Sequence, residues 1–185
     1  SGVPVERLKE IGNTTLKGSY VRFLPDDRVF KDIRFDYDTV RERLQETAFL
    51  NKGLHIELVD ERTNKTESLC YEGGIRDYVT HLTIDKKPLF VPPIYIENEI
   101  EDTYVSLALQ YVDNYNDNIF SYVNNIPTPE GGTHEVGFKS AVTRILNDFA
   151  KSNNLVKDKD VALQGEDFRE GMTAIVSVKM KNVEF

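Results

Sequence analysis

Three histidines, one cysteine and 31 carboxylates are the side chains here that could do metal, nucleophilic or acid–base chemistry. His55, His81 and His134 are never four residues apart, and no second cysteine joins them, so they assemble no metal-ligand pattern. Cys70 falls on a predicted strand with no nameable base, and reads as a small buried hydrophobe rather than a nucleophile. Acidic pairs such as Asp26-Asp27 and Glu166-Asp167 are what a carboxylate-rich chain shows on a solvated surface. Neither a Walker-type phosphate loop nor a G-x-G-x-x-G fingerprint is present, so a nucleotide site of either kind is unsupported. On motif chemistry alone, this chain holds no reaction centre.

One stretch stands apart. From Asn124-Asn125-Ile126 through Pro127, Thr128 and Pro129 to Glu130-Gly131-Gly132-Thr133-His134-Glu135 and Gly137-Phe138-Lys139, asparagines at a strand end lead through a Pro and Gly loop into a helix start. The paired glycines allow positive φ and close backbone approach. Thr133 is placed to cap the helix, with Glu135 in the first turn where the helix dipole favours negative charge. Two readings are open: a well-made strand-to-helix connection, or a loop whose helix N-terminus packs on a partner or senses an anion.

The elements that would hold this stretch follow from periodicity. Tyr20–Leu24 alternates as a short strand, after an extended arm that ends at Lys17-Gly18. Asp36 can cap a helix reaching about Lys52, with Tyr37, Val40, Leu44, Thr47 and Ala48 on one stripe and Arg41, Glu42, Gln45 and Glu46 outward. Gly53 is placed to end it. Leu54–Val59 and Thr66–Tyr71 read as a hairpin, and Gly73-Gly74 breaks the chain before a short helix, Ile75–Leu82. Ile94–Asn98 and Thr103–Val112 form a second hairpin, the longer strand presenting Val105, Leu107, Leu109 and Tyr111 on one side, and Ile119–Asn125 is a further strand. The longest helix runs from about Thr133 to Asn153 with Phe138, Ala141, Val142, Ile145 and Phe149 as its apolar stripe, and Thr173–Met180 is a last strand. Hairpins interleaved with two substantial helices predict an α+β domain, a mainly antiparallel sheet with helices on one face.

Composition bounds the rest. A chain of 185 residues with 39% hydrophobic residues is one domain, or at most a domain with a short extension, able to bury a core without disulfides or metals. The lone cysteine favours a reducing, cytosolic compartment, and no apolar run approaches the roughly 18 residues of a membrane span. Ser1-Gly2-Val3-Pro4 lacks signal-peptide character and reads as a boundary inside a longer protein. A net charge of −8 argues against a free-standing nucleic-acid binder and leaves room only for a local basic contact.

The run Asn124-Asn125-Ile126, Glu130–Glu135 and Gly137-Phe138-Lys139 closely resembles the signature of the transducer domain in the ATPase subunits of bacterial type II DNA topoisomerases, gyrase B and its topoisomerase IV counterpart. Supporting matches span nearly the whole chain, at Val21–Asp26, Ala48–Gly53, Tyr71–Ile75, Leu109–Tyr111 and Gly165–Gly171.

The resemblance implies a ribosomal-protein-like fold with a left-handed β-α-β crossover, an exception to the usual hand. It implies that residues 1–18 are an arm from a preceding ATP-binding domain and 19–185 the transducer domain, cut before a Gln-Thr-Lys loop whose lysine senses the γ-phosphate beyond Phe185. ATP and Mg2+ then belong to the full-length protein, and the fragment is expected to bind neither, to be inactive and to be monomeric. The implied function couples ATP binding and hydrolysis to passage of a DNA duplex through a double-strand break. Its implied partners are double-stranded DNA, the DNA-cleaving subunit and, when ATP binds, a second copy of the full-length subunit, in the cytoplasm at the nucleoid and away from any membrane. The family places a basic residue at the Gly-Phe-basic position, here Lys139, facing a DNA cavity, with Arg169 a second candidate; a solvated helix-face lysine is the other reading of Lys139. Asn124, Asn125, Gly131, Gly132, Thr133 and His134 carry the structural motif. The rival is a transducer-like nucleic-acid-binding or interaction module of another ATPase, such as a mismatch-repair protein.

Overall fold

A computed structural model of the chain describes residues 3–15, 17–18, 21–156 and 163–185. Two compact units divide it, Ser1–Phe35 and Asp36–Phe185. The first has no helix or strand among its described residues. A tight turn there is pinned by Asp26, whose carbonyl accepts from the amides of Val29 and Phe30 and whose carboxylate pairs with Arg28 at 2.9 Å. Phe23 and Phe35 meet edge-on at 6.0 Å beside an apolar hollow of about 540 Å3. The strand expected at Tyr20–Leu24 does not form over Val21–Leu24, and Tyr20 lies outside the described residues. Its alternation is real, but the described part of the unit offers no neighbouring strand to take its backbone hydrogen bonds.

In the second unit, α1 (Tyr37–Leu50) starts as the sequence predicts, with the Asp36 carboxylate accepting from the Thr39 amide at 2.8 Å. Its deepest residues are Ala48, Phe49 and Leu50. The Phe49 ring is stacked between Tyr71 at 3.6 Å and Tyr78 at 4.6 Å. Of the flank expected to face water, Glu42 is exposed, but Arg41, Gln45 and Glu46 are half-buried. Arg41 grips Glu67 at 2.8 Å, Gln45 donates to the Tyr71 hydroxyl, and the Tyr122 hydroxyl donates to Glu46. The first contact clamps α1 to the hairpin β1 (Ile56–Asp60) and β2 (Lys65–Leu69), whose Lys65 ammonium sits over the Tyr37 ring, and the second reaches Tyr71, two residues past β2. Cys70 follows β2 and is exposed, so the expectation of a buried thiol fails: the strand ends one residue before it.

Helix α2 (Ile75–Leu82) follows Gly74, whose φ of 57° reverses the chain tightly enough to need a glycine. Then come β3 (Ile94–Ile100), β4 (Thr103–Tyr111), β5 (Asn118–Val123), the two-residue β6 (Ile126–Pro127), α3 (Thr133–Ser152), the short α4 (Gly165–Arg169) and β7 (Met172–Met180). The five-stranded sheet runs β3-β4-β7-β5-β6. All its pairings are antiparallel except β5 with β7, so α3 lies in a parallel β-α-β crossover.

The α+β class and the mainly antiparallel sheet stand, but the helices do not lie on one face. Leu50, Ile75 and Val79 from α1 and α2 pack on Ala108, Tyr122 and Ile175. Phe138 and Val142 of α3 pack on Leu109, Met172 and Ala174 across the sheet. Periodicity hides the second layer because the alternate β4 residues, Ser106, Ala108 and Gln110, look like a solvent face and are buried all the same. Gln110 is held there by the Thr83 hydroxyl at 2.6 Å and by the Phe90 carbonyl. The apolar stripe of α3 is also narrower than expected: Ile145 and Phe149 are 58% and 57% exposed.

Candidate functional site

The singled-out stretch is built from the end of β5 outward. Asn124 and Asn125 take φ of 49° and 63° and form a two-residue reversal between Val123 and Ile126, a geometry asparagine tolerates better than other side chains. Asn124 closes on the end of β7. Its backbone amide donates to the Val178 carbonyl, its side-chain amide donates to the Met180 carbonyl at 2.9 Å, and its side-chain oxygen accepts from the Met180 amide at 2.9 Å. Asn125 reaches the other way, donating to the side chain of Asn51, the C-cap of α1. Two adjacent residues thus tie the loop to the central strand and to the first helix.

The loop then turns through Gly131, where φ is 77°, and enters α3. Thr133 is the first helical residue rather than the cap; Gly132 holds the cap position and makes no side-chain bond. Close packing explains the residue choice, since a Cβ on Gly132 would lie 2.8 Å from the His134 ring. His134 Nε2 stands 3.2 Å from the Thr128 hydroxyl, and the Thr128 hydroxyl donates to the Ser121 carbonyl at 2.9 Å. Ser121 also donates to Glu135 at 2.8 Å, and Lys139 donates to the other Glu135 oxygen at 2.6 Å. Burial works to raise the Glu135 pKa, but the bonds from Lys139 and Ser121 outweigh it and hold the carboxyl below the usual range. Glu135 is therefore a charged, mostly enclosed carboxylate, its side chain 17% exposed.

Both basic candidates are paired. Lys139 is neither a free cation nor a merely solvated one: its head is tied to Glu135 and its side chain is 36% exposed. Arg169, on α4, donates to Asp117 at 3.2 Å and is 18% exposed. A Cβ on Gly165 would lie 2.8 Å from both Arg169 and Thr143, which brings Arg169 to the α3 turn following Lys139. Thr128 and Glu135 lie within the stretch singled out from sequence, whereas Ser121 joins the site only in the folded structure. The signal in the sequence that points to Ser121 is a hydroxyl placed between Ile119 and Val123, on the strand face that meets α3.

A cleft of about 750 Å3 opens beside the loop, walled by Thr128, Gly131 and His134 on one side and by Asn182–Phe185 on the other. Its lining sets the Thr128 hydroxyl 3.2 Å from His134, with that hydroxyl also bonded to the Ser121 carbonyl, and among the described residues no three His, Cys, Asp or Glu side chains could hold a metal ion. No described helix is long and apolar enough to cross a membrane. What the arrangement can do is mechanical: it locks loop, α3 and the end of β7 together.

Residues 74–185 match the DNA gyrase B family. The chain is 51% identical over 178 residues to DNA gyrase B of Clostridium acetobutylicum, covering 96% of this chain and 28% of that protein. Its fold is similar to the 43K ATPase domain of Thermus thermophilus gyrase B, solved with an aminocoumarin, with a TM-score of 0.78 and 37% identity over 87% of this chain and 44% of that one. It is also similar to the topoisomerase IV ATP-binding domain of Francisella tularensis, solved with a small-molecule inhibitor, with a TM-score of 0.71 and 26% identity over 87% and 43% of the two chains. The chain belongs to the DNA gyrase B family, which decides between the gyrase-type reading and the mismatch-repair type. It spans 28% of the length of the Clostridium relative.

Proposed function

We propose that this chain is the transducer portion of a type II DNA topoisomerase ATPase subunit, and that it transmits the state of a nucleotide bound elsewhere in that subunit to a passing DNA duplex. The observation that carries the reading is the Asn124 clasp on Met180. It joins the end of the central strand to the signature loop, and the Ser121–Glu135 bond ties the preceding strand β5 to α3, a connected path by which displacement at the end of β7 would reach α3. A packed core is bistable rather than continuously deformable, which is what a switch needs. ATP and Mg2+ belong, on this reading, to the rest of the subunit, with residues 1–18 as the link. Among the described residues no three His, Cys, Asp or Glu side chains could hold a metal ion, and no step is routed through ATP or Mg2+. Double-stranded DNA, a DNA-cleaving subunit and a second copy of the full-length subunit are the partners.

Lys139, backed by Arg169, is the phosphate contact. Its place on α3, with a half-exposed side chain, suits a sequence-independent point charge. The test is Lys139→Gln in the full-length subunit assembled with its partner. The salt dependence of duplex binding should flatten by about 0.9 in log–log slope per copy of the contact. DNA stimulation of ATP turnover should fall about tenfold, the scale of one charge-assisted contact. An unchanged slope together with unchanged stimulation removes Lys139 from the mechanism.

A further inference from the structure

A chain of side-chain hydrogen bonds runs from Lys139 to the wall of the cleft, through Glu135, Ser121, Thr128 and His134. It crosses from α3 to β5 and back to the helix start without a gap longer than 3.2 Å. Its protons are too few for its contacts. The Ser121 hydroxyl carries one proton and has three acceptors in reach: Glu135 Oε2 and Thr128 Oγ1 at 2.8 Å and the Thr128 carbonyl at 3.2 Å. The Thr128 hydroxyl carries one and can give it to the Ser121 carbonyl, to Ser121 Oγ or to His134 Nε2. The chain therefore has two self-consistent arrangements. In one, with Lys139 on Glu135 Oε1, the Ser121 proton is shared between Glu135 Oε2 and Thr128, and when it turns to Thr128 the Thr128 proton is available to His134. In the other, Ser121 commits its proton to Glu135, Thr128 turns its own proton back to Ser121, and His134 loses that donor.

We infer that Glu135, Ser121 and Thr128 are positioning residues that couple phosphate contact at Lys139 to the cleft between the loop and residues 182–185. This rests on the reading of Lys139 as a DNA contact. When a phosphate draws the Lys139 ammonium away, Glu135 is left enclosed with Ser121 as its remaining direct side-chain donor among the described residues, and a mostly buried carboxylate takes that proton in preference to a neutral oxygen. The re-pointed hydroxyls are read out at Thr128 and His134, which face Asn182–Phe185 across the cleft. One bistable element is thereby biased from both ends.

The test uses the full-length subunit assembled with its DNA-cleaving partner, with duplex DNA as the probe. Two readouts are taken: the ratio of DNA-stimulated to basal ATP turnover, and the salt slope of duplex binding. Ser121→Ala and Thr128→Val each remove one hydroxyl at near-constant volume. Each is expected to lower the stimulation ratio about tenfold, the scale of a hydrogen bond to a charged group, while leaving the salt slope at the wild-type value because Lys139 keeps its charge. The double variant is expected to fall no further than either single one, since a broken chain cannot be broken twice. Wild-type stimulation in both single variants, alongside loss in Lys139→Gln, overturns the relay and leaves the Lys139 contact standing. Losses that multiply in the double variant overturn it as well, by making the two hydroxyls independent. A Lys139→Gln protein with wild-type slope and stimulation removes the contact and the relay together.

Discussion

At the scale of the residue, the site depends on side chains that serve the backbone rather than a substrate. Asn124 illustrates this: it accepts a left-handed φ of 49° and also bonds both polar backbone groups of Met180. The two roles separate by substitution. Asn124→Gly keeps the backbone freedom and loses the clasp, and should destabilise by about 1 kcal/mol. Asn124→Ala loses the clasp and adds left-handed strain, for a total of about 2–3 kcal/mol. Urea denaturation of the two variants checks this, and equal losses would show that φ is no constraint there. Glu135 has the opposite balance, a charge kept by its neighbours against burial. Because its folded pKa is lowered, the stability it contributes is present above the unfolded carboxyl range and is lost as pH falls through the folded pKa.

At the scale of the element, α1 is the clearest case of a helix held by two kinds of contact. Its polar flank meets the β1–β2 hairpin through Arg41 and Tyr71 through Gln45, while Phe49 sits 1% exposed between two tyrosine rings. Truncating a buried aromatic leaves a cavity, so Phe49→Ala should cost about 3–5 kcal/mol, with Phe49→Leu costing clearly less. Thermal melting distinguishes them, and a loss below about 1 kcal/mol for alanine would mean the stack is loose. Helix boundaries are legible in the sequence because they are written locally: Asp36 caps α1, and Gly73-Gly74 precedes an α2 whose ends match the expected span. The faces are not. Ser106 and Gln110 are polar yet buried, Arg41 and Glu46 are charged yet half-enclosed, and for Gln110, Arg41 and Glu46 a partner distant in sequence decides. The loop is legible as a special stretch from its asparagines and glycines, but the relay behind it is not. Ser121 becomes informative only when α3 is laid against β5.

At the scale of the whole molecule, the two units differ in kind. Every buried hydrophobic side chain of the described residues lies at Ala48 or later, so the second unit carries its core without help. Residues 36–185 alone should melt within about 3 °C of the full 185, which corresponds to a change near or below about 1 kcal/mol. A drop beyond about 10 °C would show that the first 35 residues supply stability of their own. The order of the sheet has one more outcome. Strand β7 is seventh along the chain yet fills the slot between β4 and β5, where Met172 to Val178 are buried without interruption. A polypeptide stopped short of it during synthesis is not a smaller sheet but two separated halves, β3–β4 and β5–β6, each baring an unpaired rim toward the other. Until that final strand slides in, the growing chain carries two sticky edges, and the risk of clumping is concentrated in the interval before the keystone arrives.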